Sequence, residues 1–92
     1  MKDIRIDKRL LAEIRRQDAV TRRQIGEAIA AAQEFFGSPP THGGAGLRKL
    51  KGAWYEVRTG LAQRLIFKDC EDCLSFEFMG EHDEVRRFLK GK

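Results

Sequence analysis

Arginine, lysine and histidine are the side chains of this sequence with the most obvious chemical use, and they are unevenly placed. From Arg48 to Lys68 there are six basic residues and one acidic residue, whereas from Asp69 to Lys92 there are seven acidic and four basic ones. The overall excess, 18 Lys+Arg against 14 Asp+Glu for a formal charge of +4, is modest. Its concentration in mid-chain sets up a local field that attracts phosphate or an acidic protein segment. No extended basic tail accompanies it, so tight, sequence-independent nucleic-acid binding is not implied. Arg58 and Arg64 offer planar forks of donors that can hold a phosphate and stabilise charge developing at phosphorus. Lys68 shares their strand parity, and Lys49 and Lys51, just upstream, can extend the same groove. The plainer alternative is a solvated cationic sheet face.

His82 follows Gly80 at the end of an extended segment. A histidine there can transfer protons near neutral pH, although an ordinary surface histidine is the more frequent outcome. His42, in a glycine-rich loop, is a weaker candidate. Cys70 and Cys73 form a C-x-x-C within KDCEDC. A structural zinc site normally needs four ligands, and a redox pair usually sits at a helix N-terminus, so an acidic hairpin turn is the expected reading, with intermolecular zinc or disulfide chemistry as the alternatives. GGAG lacks the Lys-Ser/Thr and the strand-to-helix setting of a phosphate-binding loop. No metal site and no cofactor are expected.

These side chains need a scaffold, and the pattern of apolar residues supplies one. Leu10, Leu11 and Ile14 make a helical stripe over about Lys8 to Gln17, with Asp7 as N-cap. Thr21 and Gln24 fit a capping box ahead of Ile25, Ala28, Ile29, Ala32 and Phe36, and Gly37 with Pro39 and Pro40 ends that helix. The two helices should form a hairpin. SPPTHGGAG is then a loop. Beyond it the period changes to two: Tyr55 and Val57 oppose Trp54, Glu56 and Arg58; Leu65 and Phe67 oppose Arg64, Ile66 and Lys68; Leu74, Phe76 and Phe78 oppose Ser75, Glu77 and Met79. Three such strands with short links predict an antiparallel meander. Asp3 to Ile6 is either a short first strand or an irregular lead-in, and Glu84 to Lys90 a short final helix. The sum is an α+β domain: a helix hairpin packed on an antiparallel sheet in two layers.

Ninety-two residues, 41% hydrophobic and 35% charged, suit one soluble domain spanning residues 1–92 with a thin core. With no apolar run near 18 residues and no signal-like N-terminus, a cytoplasmic protein without membrane contact is expected.

LRKLKGAWYEVRTGLAQRLIF resembles the RelE/ParE toxin superfamily of type II toxin-antitoxin systems, whose members commonly carry a Leu-Lys-Gly segment, a strand ending in Arg, and a strand with Arg followed by two hydrophobic residues. The resemblance covers most of the chain and implies a RelE-like fold. It also implies a toxin held inactive by a protein antitoxin, acting as a metal-independent, ribosome-dependent mRNA endoribonuclease, with messenger RNA and ribosome as further partners. Carried over by motif, Lys49 and Lys51 match the basic lead-in, Arg58 the first sheet arginine, Arg64 the next, and His82 a basic residue after the last strand. In that reading Arg58 and Arg64 stabilise the phosphorane, Lys51 or Lys49 orients the backbone or activates the 2′-hydroxyl, His82 is acid or base, and Lys68 and Phe88 hold substrate. Phe88 departs from the ribonuclease branch, which often has Tyr there; a phenyl ring can stack on a base but cannot exchange a proton. The rival expectations are a non-catalytic toxin resembling the ParE branch, which inhibits a protein such as DNA gyrase, and an inactive interaction module.

Overall fold

The computed structural model describes residues 2–37, 46–60 and 62–92. In chain order the elements are β1 (Asp3–Ile6), α1 (Lys8–Arg15), α2 (Ala19–Gly37), β2 (Leu47–Lys49), β3 (Trp54–Arg58), β4 (Arg64–Asp69), β5 (Cys73–Gly80) and α3 (His82–Lys90). The SPPTHGGAG loop, with His42, lies outside the described residues except for Gly46.

Local chemistry starts both N-terminal helices. The Asp7 carboxylate accepts the N–H groups of Arg9 and Leu10, capping α1 as expected. For α2 the capping box at Thr21 and Gln24 is not the start. The helix begins earlier, at Ala19, and Asp18 is the residue that accepts the Thr21 N–H, at 2.7 Å. Hydrogen bonds from Thr21 hold the Asp18 carboxyl below the usual carboxylate range, with the nearby Arg22 charge contributing. A carboxylate whose pKa is lowered by folding stabilises the fold above its unfolded value, about 4, and loses that contribution as pH falls through the folded value. Asp18→Asn keeps an acceptor and removes the titration. Its stability, followed by circular dichroism, is expected to fall less steeply than wild type on acidification below about pH 4.

Among the described residues the sheet has five strands in the order β1-β5-β4-β3-β2. β2 through β5 pair antiparallel in sequence, so the meander is as expected and gains β2 as an edge strand. The lead-in at Asp3–Ile6 is a true strand, and it runs parallel to β5, which makes the sheet mixed. Lys2 anchors this edge: its ammonium pairs with Asp69 and donates to the Cys70 carbonyl. Cys70 and Cys73 close the adjoining β4–β5 turn as a disulfide, where the spacing alone favoured a plain turn.

One face of the sheet packs on α1 and α2. Leu10, Ile25, Ala28 and Ala32 from the helices meet Val57, Leu65, Phe67, Leu74, Phe76 and Met79 from the strands. Phe67 lies at the centre, in contact with the rings of Phe36, Tyr55 and Phe76.

The other face was expected to be open and cationic, but it too is partly covered. In β5 the pairing passes from Ile66↔Phe78 to Phe67↔Phe76, leaving Glu77 as an extra residue in a bulge. Because one inserted residue inverts the alternation beyond it, Phe78 leaves the helix-hairpin side, where simple parity had put it, and Met79 takes its place in the core. Phe78 instead stacks on Phe88 at 4.7 Å, and Phe88 meets the edge of Trp54 at 5.5 Å. These rings form a second apolar patch on which α3 sits, with Val85 buried beneath it. The two-layer expectation is corrected accordingly: α3 lies opposite the hairpin and starts at His82, two residues earlier than its apolar pattern suggested.

Candidate active site

Pairing alone assigns the faces. Residues directly opposed in an antiparallel ladder project to the same side. The pairs Arg48↔Glu56, Arg58↔Arg64 and Arg64↔Gly80 therefore place Arg48, Glu56, Arg58 and Arg64 together on the α3 face, at the end of the sheet where β5 stops. Since Gly80 sits against Arg64 and α3 begins at His82, the histidine is delivered to the same spot. Gly46, Leu47, Arg48, Glu56, Arg58, Arg64 and His82 line one shallow pocket of about 260 Å³.

Glycines shape both approaches to this pocket. Gly46 has φ +74°, its carbonyl accepts the Arg58 N–H at 3.3 Å, and a Cβ there would lie 3.1 Å from Arg58 Cβ. An L side chain at that φ is strained whatever the space. Gly46→Ala is expected to cost about 1 kcal/mol or more, read as a shift in denaturation midpoint, and to displace Arg58. At Gly80 a Cβ would meet Phe78 at 2.9 Å and Glu84 at 3.1 Å, so α3 can lie this close to the strand only over glycine.

The electrostatics centre on Glu56, which is 4% exposed. Its Oε2 lies 3.4 Å from Arg64 Nε and 3.5 Å from Arg48 Nε. A buried carboxylate is tolerated only when charges of opposite sign face it, and here two guanidinium groups do. Arg64 is itself mostly buried, and its Nε makes no hydrogen bond among the described residues. Arg58 and His82 are exposed. The pocket thus combines three guanidinium groups, an imidazole and one counter-charge, a set that can bind an oxyanion and move a proton.

Not every candidate gathers there. Lys49 pairs with Tyr55, which places it on the helix-hairpin face, away from the pocket. Arg48, its neighbour, occupies the position on the pocket face that had been assigned to the lysine. Lys51 lies in the β2–β3 turn, and Lys68 pairs with Trp54. Both are at the far end of the ladder, roughly 13 Å from Arg58 at about 3.3 Å per residue. There Lys68 stands 6.0 Å from the Trp54 ring, and Lys92 lies 4.7 Å from the ring of Phe88. Phe88 is engaged in packing α3 to the sheet and does not line the pocket. Sequence reasoning missed Arg48 and Glu56 as site residues. Glu56 had a legible signal, sharing strand parity with Arg58; Arg48 had none until its pairing was known.

No protein-family model matches the chain, and no curated protein matches it. Solved structures do. A chain of the RelB–RelE antitoxin–toxin complex from Methanococcus jannaschii superposes with TM-score 0.64 at 16% identity, over 92% of this chain and 98% of that one. The YoeB dimer from Staphylococcus aureus gives 0.68 at 16% identity over 88% and 97%. YafQ from Escherichia coli gives 0.61 at 16% identity over 92% and 98%. The chain has the RelE-like fold that its sequence resemblance implied.

Proposed function

We propose that this protein is the toxin of a type II toxin-antitoxin pair and that it cleaves messenger RNA on the ribosome. The observation carrying the reading is the convergence of Arg58, Arg64 and His82, from two strands and a helix start, in one pocket. The fold supports it: the similar structures include toxins solved with their antitoxins, among them the DinJ–YafQ complex.

The chemistry that fits is transesterification. The ribose 2′-oxygen attacks the adjacent phosphorus, forming the O2′–P bond as the P–O5′ bond breaks, and leaves a 2′,3′-cyclic phosphate and a 5′-hydroxyl. Arg58 and Arg64 stabilise the additional negative charge on the phosphorane oxygens. The 2′-hydroxyl gives up its proton to solvent water as the bond forms, and His82 is the group placed to deliver one to the departing O5′. Arg48 takes the backbone-binding role that Lys49, on the opposite face, cannot share with these residues, and Lys51, Lys68 and Lys92 lie where a longer strand would pass. A protein antitoxin with an acidic or amphipathic segment would neutralise this face.

A second reading has one observation behind it. The pocket contains no tyrosine and Phe88 is packed away from it, which favours a non-catalytic toxin that inhibits a protein target. Incubating the purified protein with messenger on translating ribosomes, and with the same messenger alone, separates the two. Cleavage only in the ribosomal reaction is expected; intact messenger in both from folded, antitoxin-free protein would transfer the assignment to the protein-inhibiting class.

A further inference from the structure

The acidic residue inside the cationic site has no part in the transesterification described above. We propose that Glu56 is a positioning residue for Arg64: its carboxylate holds the guanidinium at the Nε edge and leaves the two terminal nitrogens to meet a phosphate. The proposal rests on the ribonuclease reading for its catalytic consequence, though not for its geometry.

The two arginines that share Glu56 are not equivalent. Arg48 retains 64% of its side-chain exposure, and a pair so open to water holds its side chain weakly. Arg64 retains 20%, and its Nε, which has no hydrogen-bond partner among the described residues, stands 3.4 Å from Glu56 Oε2 as an ion pair. In that low-dielectric setting the carboxylate is the group that offsets the buried charge of Arg64. An arginine stem has several free torsions, and ordering them at the moment of reaction opposes catalysis. Fixing the fork beforehand removes that cost from the barrier. Glu56 is in turn fixed by its place mid-strand, between the pairs Arg48↔Glu56 and Glu56↔Ile66. Backbone pairing thus orients a carboxylate, and the carboxylate orients a guanidinium.

The test compares wild type, Glu56→Gln, Arg64→Ala and the double variant, with kcat and KM measured separately on translating ribosomes. The Arg64 Nε–H resonance is followed by ¹⁵N NMR in wild type and Glu56→Gln. Glu56→Gln is expected to lower kcat roughly tenfold with KM little changed, and Arg64→Ala to lower it about a hundredfold. The double variant should be no worse than Arg64→Ala, because two residues acting through one group are not additive. The Nε–H, slow to exchange with water in wild type, should exchange freely in Glu56→Gln while the backbone amide spectrum is kept. If loss of the carboxylate unfolds the protein, Glu56→Asp keeps the charge, withdraws it by one methylene, and should show the same kcat loss and faster exchange. Equal kcat losses from Glu56→Gln in the presence and absence of Arg64 would overturn the proposal, as would an Nε–H unaffected by either substitution. A wild type that cleaves nothing would overturn the ribonuclease reading, and the Nε–H measurement would still judge the positioning.

Discussion

Messenger cleavage on translating ribosomes is expected to fall about a hundredfold when Arg58 is replaced by alanine, the scale seen when one preorganised donor to a developing oxyanion is removed. Arg58 closes β3 directly opposite Arg64 and lines the pocket beside His82. Its side chain is exposed and has no core packing to lose. Stability should therefore stay within about 0.5 kcal/mol of wild type, as for surface substitutions generally. Arg58→Lys retains the charge and loses the planar fork, so an intermediate rate is expected. Quantifying cleaved messenger by primer extension, beside a denaturation curve for each variant, checks both halves. Wild-type cleavage by Arg58→Ala would take this residue out of the chemistry.

The largest effect on stability should come from the other face of the sheet. Phe67→Ala is expected to destabilise the fold by about 3–5 kcal/mol, the usual cost of deleting a buried aromatic ring. Phe67 is 0% exposed and touches three aromatic rings drawn from α2, β3 and β5, so collapse around the cavity would require several elements to move at once. Small domains have only about 5–15 kcal/mol to lose, and urea denaturation of the variant should show a sharply lowered midpoint. A midpoint shift worth less than about 1 kcal/mol would mean that the core repacks, contrary to the close-packed interior described.

The sequence made the helix hairpin and the meander legible because both rest on local periodicity: Ile25, Ala28, Ile29 and Ala32 at helical spacing, and Tyr55 and Val57 or Leu65 and Phe67 at strand spacing. It also made part of the pocket legible, since parity put Glu56, Arg58 and Arg64 on one face. What it did not reveal depends on pairing between segments. Lys49 and Arg48 are neighbours in one short strand, and only the register against β3 decides which of them faces the pocket. The start of α2 was misplaced because Asp18 and Thr21 both have capping side chains, and the choice is made by backbone geometry. Phe78 was misassigned because a bulge has no fixed sequence signature, and α3 is too short for its apolar pattern to name the surface it covers.

The bulge at Glu77 makes the length of β5 as consequential as its composition. Everything beyond that residue is delivered to its face by a count of residues, so pairing Glu77 regularly would send Phe78 into the hairpin side and Met79 beneath α3, and would carry Gly80 and His82 out of phase with Arg64. Substitutions along this strand can be absorbed one side chain at a time, but an insertion, or a deletion of any residue other than the bulged Glu77, shifts the faces of all that follow. In the divergence of proteins with this architecture, the spacing between the buried Leu74 and Phe76 and the Gly80–His82 end of the segment should therefore be held more tightly than the identity of its exposed side chains.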